Sequence, residues 1–260
     1  MTEIDYMPML GSPSTPVVVT GGASGIGLAT ASALAAVGRP VSLWDIDGDK
    51  ARAEAARIGA KFGVLVLGQR VDLRDPQAVS PAALAARDAL GPIGGLVHCA
   101  GTAEQTGIEG VTPDNWDAGL ALHARAVIQL VQAFLADLKV TPGSAVVALS
   151  SINASFGNGT IPIYSAAKGA VISLVRSMAD ELAGHGIRIN TVSPGMIDTP
   201  ILGAARDAME GVYRSRIMLG RFGRPEEIGR AIRFLLSDEA SYLTAEDLVI
   251  DGGILRSQRP

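Results

Sequence analysis

Tyr164 and Lys168 stand four residues apart at the head of an Ala-rich run, a spacing that puts a phenol and an ammonium on one face of a helix. A phenol is a poor base at its ordinary pKa of about 10. Acid/base work near neutrality requires that value to fall by roughly two to three units, or about 3–4 kcal/mol. One or two positive charges about 5 Å away, each worth roughly 3 kcal/mol at an effective dielectric of about 20, supply that much. Lys168 is one such charge. Ser151 stands thirteen residues before Tyr164, and the intervening NASFGNGTIPI carries enough glycine for a return loop that brings the serine to the helix start. A hydroxyl, a phenol and an ammonium so placed can exchange a proton with an alcohol or carbonyl oxygen.

A second group of residues points to a phosphate-bearing partner. Thr20-Gly21-Gly22-Ala23-Ser24-Gly25-Ile26-Gly27 follows a short apolar run and opens a helical one. Glycine permits a tight turn and close backbone approach, and the free N–H groups of a helix N-terminus favour a pyrophosphate. Asp45 ends the next apolar run, eighteen residues after Gly27. A carboxylate there accepts hydrogen bonds from both adenosine ribose hydroxyls and repels a 2′-phosphate, which predicts NAD over NADP. Trp44, Ile46 and Asp47 flank it, and Lys50 is the nearest cation. An oxidised nicotinamide would be the second positive charge beside Tyr164.

Positioning these groups takes a scaffold of alternating strands and helices. Strand-like apolar runs fall at 17–20, 41–44, 64–71, 96–98, 145–150, 188–192 and 248–250, with helical stretches at 26–37, 49–58, 76–90, 114–138, 164–183 and 225–236. The alternation predicts one α/β domain over 16–260: a Rossmann-like, doubly wound sheet of seven parallel strands with helices on both faces. Residues 1–15 read as a flexible arm. Residues 193–223 are too long for an ordinary connection and read as a flap beside a site, with a short helical piece at 204–218.

Composition narrows the class further. The 260 residues carry 22 Lys+Arg against 26 Asp+Glu, a net charge of −4, with 48% hydrophobic. Intrinsic disorder is excluded, and without a Lys/Arg run nucleic acid is not an expected partner. The lone Cys99 forms no internal disulfide. Neither a secretory signal nor an uninterrupted apolar stretch of about eighteen residues is apparent, so the expectation is a cytoplasmic protein with no membrane partner. Three scattered histidines show no metal-ligand spacing.

The chain resembles the short-chain dehydrogenase/reductase family from Pro16 to Gly253. The resemblance rests on TGGASGIG at 20–27, Asp45, Asp72 after the third strand, Ala100-Gly101 after the fourth, Ser151 with Tyr164 and Lys168, the NTVSPG run at 190–195 and Asp251-Gly252-Gly253. It implies hydride transfer between a nicotinamide and a secondary alcohol or ketone. Tyr164 would be the general acid/base, Ser151 would hold the substrate oxygen, and Lys168 would bind the nicotinamide ribose and lower the phenol's pKa. It further implies that Asp72 and Leu73 face the adenine, that Ala100 and Gly101 line the adenosine region, and that Pro194, Ile197 and Thr199 lie toward the carboxamide. A homo-oligomer, tetramer or dimer, is also implied. The faces Val127-Leu130-Val131-Phe134 and Val171-Leu174-Val175-Met178 suit either that interface or the core.

Two positions depart from the family pattern. His123 stands where the family has an asparagine that props a water in a proton relay, and an imidazole there can hold a water or shuttle a proton itself. His98-Cys99 replaces a pair of asparagines. A small apolar or cyclic alcohol suits Ile161, Ile163, Met196 and Ile201, while Arg206, Arg214 and Arg216 keep a carboxylated substrate open. The alternatives are a 3-oxoacyl-carrier-protein-type reductase and a non-catalytic NAD-binding sensor or scaffold.

Overall fold

Consecutive residues of a strand point to opposite faces, so an unbroken apolar run such as Val17-Val18-Val19 has to be covered on both sides. The computed structural model, which describes residues 7–258, has that cover. Strands β1 (Val17–Thr20), β2 (Val41–Asp45), β3 (Val66–Arg70), β4 (Gly95–His98), β5 (Ala145–Leu149), β6 (Arg188–Pro194) and β7 (Asp247–Ile250) form one parallel sheet. Their spatial order is β3-β2-β1-β4-β5-β6-β7. The winding reverses between β1 and β4, which opens a crevice beyond their C-terminal ends.

The helices are α1 (Gly25–Ala35), α2 (Gly48–Phe62), α3 (Val79–Leu90), α4 (Pro113–Leu120), α5 (Ala126–Val140), α6 (Asn153–Phe156), α7 (Pro162–Ala183), α8 (Arg206–Tyr213) and α9 (Pro225–Leu235). Val17, Val19, Leu43 and Val147 pack with Leu34 of α1, Ile58 of α2 and Ile232 of α9. Val18, Trp44, Leu96 and Val146 pack on the other face with Ala83 of α3, Phe134 of α5 and Val175 of α7. Val127, Leu130, Val131, Phe134, Val171 and Val175 of the two apolar faces belong to this core, while Leu174 and Met178 pack against it only half-buried. Residues 113–140 are the one run among those described that is long and apolar enough to cross a bilayer. That run packs Leu130 and Phe134 into the core instead.

Several boundaries differ from the sequence reading for identifiable reasons. The predicted helix 114–138 is split by a π turn, Ala121–Arg125, in which the Ala126 N–H bonds to the Ala121 carbonyl. Within that turn the Leu122 carbonyl accepts from His98 Nε2 at 3.0 Å. β6 runs two residues into the predicted flap because Ser193 and Pro194 pair with Val249 and Ile250. The flap's helix is α8, shorter than 204–218, preceded by a 3₁₀ turn at Pro200–Ala205. A bridge between Ile197 and Gly223 closes the flap's base.

The arm predicted for residues 1–15 is docked in its described part, while residues 1–6 lie outside the described residues. Met9 N–H donates to Glu239 at 2.7 Å, and the Ser12 carbonyl accepts from Asp238 N–H at 2.7 Å. Behind them lies Arg39, fully buried, which donates to the Thr15 carbonyl and hydroxyl and to the Leu236 carbonyl. Burial pushes its pKa down to about 10, with Asp238 opposing. Removing a charged donor strands its acceptors, so Arg39→Ala should lose about 2–4 kcal/mol in urea unfolding and expose residues 9–15 to proteolysis. A stability within about 0.5 kcal/mol of the parent would show that this dock holds nothing together.

Candidate active site

A cavity of about 710 Å³ opens at the C-terminal ends of the strands. Gly21, Ser24, Gly25, Ile26, Gly27, Asp45, Asp72, Leu73, Ala100, Gly101, His123, Ser151, Tyr164, Lys168, Pro194, Ile197 and Thr199 all line it, so the residues expected to act in catalysis or to hold the cofactor are brought to one place, whereas Arg206, Arg214 and Arg216 are not among its lining.

At one end the chain turns from β1 into α1. Gly27 has no substitute there: a Cβ would lie 2.1 Å from the Gly21 carbonyl oxygen. Ser24 takes the N-cap position in an extended conformation without a side-chain cap, and no acid sits in the first turn. The first N–H groups of α1 are therefore presented to the cavity as a site for an anion. Asp45 accepts from Ala23 N–H at 3.0 Å and Asp47 N–H at 3.1 Å, one on each oxygen, which aims the carboxylate into the cleft with lone pairs to spare. Asp72 is spanned by Arg74 at 2.9 and 2.8 Å. The bond to that guanidinium is the largest of several effects that together hold its carboxyl below the usual range. Across the cleft, the Thr199 side chain comes within 3.4 Å of where a Cβ on Gly25 would sit. An uncapped helix N-terminus, a close-packed glycine turn and an acceptor-only carboxylate form a donor set that fits a dinucleotide.

At the other end two hydrogen bonds fasten α7 to β5. Lys168 Nζ donates to the Leu149 carbonyl at 2.7 Å, and Ser150 Oγ donates to the Lys168 carbonyl at 2.9 Å. Lys168 is buried, and burial lowers its pKa to about 8 against a weaker opposing effect of Cys99. Its ammonium lies 5.5 Å from the centre of the Tyr164 ring. Burial raises the Tyr164 phenol, and hydrogen bonding by the Ser151 hydroxyl opposes that rise without overcoming it. The lowering expected of Lys168 and an oxidised nicotinamide together is opposed here by desolvation of the phenolate.

The two departures from the family pattern meet in space. His98 Nε2 faces the Leu122 carbonyl and so carries the proton, which leaves Nδ1 to accept from the Thr20 hydroxyl at 2.9 Å. The Thr20 oxygen in turn accepts from Cys99 and Ala100 N–H at 3.2 and 3.3 Å. The π turn that His98 holds carries His123, whose Nε2–H donates to the Thr102 carbonyl at 3.0 Å. Its Nδ1 is buried without a partner. The ring stands edge-on to Tyr164, centroids 5.4 Å apart, where a Cβ on Gly101 would meet it at 2.5 Å.

A family model described as enoyl-(acyl carrier protein) reductase matches residues 21–255. The chain belongs to the short-chain dehydrogenase/reductase family. Among curated relatives, an acetoacetyl-CoA reductase of Synechocystis sp. is 36% identical over 95% of this chain and 98% of its own. A D-threitol dehydrogenase of Mycolicibacterium smegmatis is 35% identical, covering 91% of each. Among solved structures, L-sorbose reductase of Gluconobacter frateurii, complexed with NADPH and L-sorbose, has a TM-score of 0.91 at 29% identity, covering 96% of this chain and 100% of that one.

This dehydrogenase/reductase contains site residues that the sequence reading passed over. Ser150, paired with Ser151 in sequence, braces α7. Arg74 lines the nucleotide end although only Lys50 is the near cation in sequence, because the turn after β3 carries it there. Neither has a periodicity or motif to announce it.

Burial, and secondarily the charge of Lys168, pushes His98 down to about 3 and His123 to about 2, so both rings stay neutral when folded. The unfolded chain takes up those protons below its ordinary histidine pKa of about 6.5. Stability contributed by the two neutral rings is therefore complete above that value and is lost as pH falls toward about 3. Between pH 6 and 4 each ring should add up to about 1.4 kcal/mol per pH unit to the slope of unfolding free energy, and His98→Asn and His123→Asn should each remove one such increment. Identical slopes in parent and variants would mean that the rings protonate in place.

Proposed function

We propose that the protein is an NAD-dependent oxidoreductase that interconverts a secondary alcohol and a ketone, with Tyr164 as general acid/base. The observation that carries this reading is the convergence of Ser151, Tyr164 and Lys168 in a cavity that also receives the uncapped N-terminus of α1 and Asp45. In the oxidative direction the Tyr164 phenolate takes the hydroxyl proton while Ser151 Oγ holds the same oxygen; reduction returns the proton. Lys168 spends one N–H on Leu149 and has two left for ribose hydroxyls. When bound, the nicotinamide supplies or accepts the hydride and, oxidised, the positive charge that Tyr164 requires. Asp45 favours NAD, because the nearest cavity-lining guanidinium, Arg74, is already taken by Asp72.

His123 enters the proposal as a neutral acceptor. With Nε2–H fixed on Thr102, Nδ1 offers a lone pair beside Tyr164 that holds a water, and the depressed pKa opposes carriage of a proton as imidazolium. The reading also includes a cytoplasmic homo-oligomer, dimer or tetramer, which light scattering would size. The names of relatives favour a thioester reductase as competitor, and acetoacetyl-CoA with NADPH is its test.

With NAD(H) and a panel of secondary alcohols and ketones, Tyr164→Phe should lower kcat by about 10²–10⁴ while leaving the dissociation constant for NADH within about threefold. Retained turnover would remove Tyr164 from the chemistry. His123→Ala should slow turnover and His123→Asn restore it, with no limb of the pH–rate profile belonging to His123. Superimposable rates for all three proteins would end its role.

A further inference from the structure

The flap sorts its side chains by face. Arg206 and Glu210 stand four apart on one face of α8, and Arg214, four residues on and just past its end, continues the line through its N–H bond to the Glu210 carbonyl. Arg206 spans both oxygens of Asp198 at 2.7 and 2.9 Å, reaches Asp207 at 3.0 Å and lies 3.6 Å from Glu210. Arg214 lies 3.6 Å from Glu210 and gives its Nε–H to the Gly220 carbonyl at 2.8 Å. None of Arg206, Arg214 and Arg216 lines the cavity. Met209 and Tyr213, also four apart, line it instead, with Ile201 and Leu202 from the preceding turn. The flap turns its charges outward into ion pairs and its apolar groups inward.

Among the described residues that line the substrate half, no free counter-ion replaces them. Lys168 gives one N–H to the Leu149 carbonyl and, in the reading above, the other two to ribose hydroxyls, and Arg74 is held by Asp72. Gln105 and Asn153 are neutral, and Glu104, exposed where it lines the cavity, is negative. An anion entering here would lose water without gaining a counter-ion, whereas an uncharged body loses nothing comparable.

Resting on the oxidoreductase reading, we infer that this site takes an uncharged ketone or alcohol with an apolar body and discriminates against carboxylated and phosphorylated analogues. The role left open for Arg206, Arg214 and Arg216 as a carboxylate clamp is withdrawn, since two of them are engaged on the flap's outer face and none reaches the cavity.

Calorimetric titration of the Tyr164→Phe protein saturated with NADH reads binding without chemistry. The probes are 4-acetylbenzamide and 4-acetylbenzoate, equal in heavy atoms and different in charge. The amide should bind at least about tenfold more tightly, and the unmodified enzyme should show at least about a tenfold higher kcat/KM for it. Met209→Lys, which adds a cation to the inward face, should narrow the gap by about threefold or more, while Arg206→Gln should leave it unchanged. Equal or tighter binding of the carboxylate, no binding of either probe, or selective loss of carboxylate binding in Arg206→Gln would overturn the inference. Preference for the amide in binding with no turnover in the unmodified enzyme would instead defeat the oxidoreductase reading and leave the pocket's selectivity standing.

Discussion

A buried ammonium must find hydrogen-bond acceptors, and the acceptor that Lys168 finds decides the geometry of this molecule's working end. Its Nζ is satisfied by the carbonyl of Leu149, the last residue of β5, while the hydroxyl of Ser150 reaches back to the carbonyl of Lys168. Those two bonds fix the first turns of α7 against the end of a central strand. Tyr164 precedes Lys168 by one turn and Ser151 follows Ser150 directly, so clamping strand to helix carries phenol and hydroxyl together. The same burial that makes the ammonium dependent on Leu149 also raises the phenol and lowers the ammonium, so both groups are shifted towards their neutral forms.

The opposite end of the cavity follows a parallel rule with different groups. β1 and β4 are neighbours across the winding reversal, and their ends are stitched by one threonine hydroxyl that donates to His98 and accepts from two backbone N–H groups. His98 passes the constraint on to the Leu122 carbonyl, which lies within the π turn. That turn delivers His123 to Tyr164, in the space left by the missing side chain of Gly101. The two histidines that break the family pattern are thus mechanically linked: one holds the irregular turn, and the other is presented by it.

Much of this was legible in the linear chain because the signals are local. Alternating apolar runs specify strands covered on both faces, glycine spacing specifies a turn too tight for a Cβ, and a four-residue interval specifies a shared helix face. What escaped depends on partners distant in sequence. The π turn answers to His98, more than twenty residues earlier, and the extension of β6 answers to β7, over fifty residues later. Arm residues 9–15 look loose in isolation because the groups that hold them, Arg39, Asp238 and Glu239, arrive from elsewhere. The sequence likewise shows that Arg206, Arg214 and Arg216 exist but not which way they face, and the fold leaves all three out of the cavity lining.

By itself, the order of residues determined the family, the doubly wound sheet and the identity of the groups gathered in the cavity. Each of these rests on spacing along the chain, and short-range geometry converts spacing into placement. Tertiary structure alone decided which of those groups are free to act. Desolvation, hydrogen-bond competition and the facing of a helix are set by neighbours that only folding supplies. Packing therefore raises the Tyr164 phenol, disfavours a charged His123, occupies Arg74 and Arg206, and leaves Met209 and Tyr213 facing the cavity.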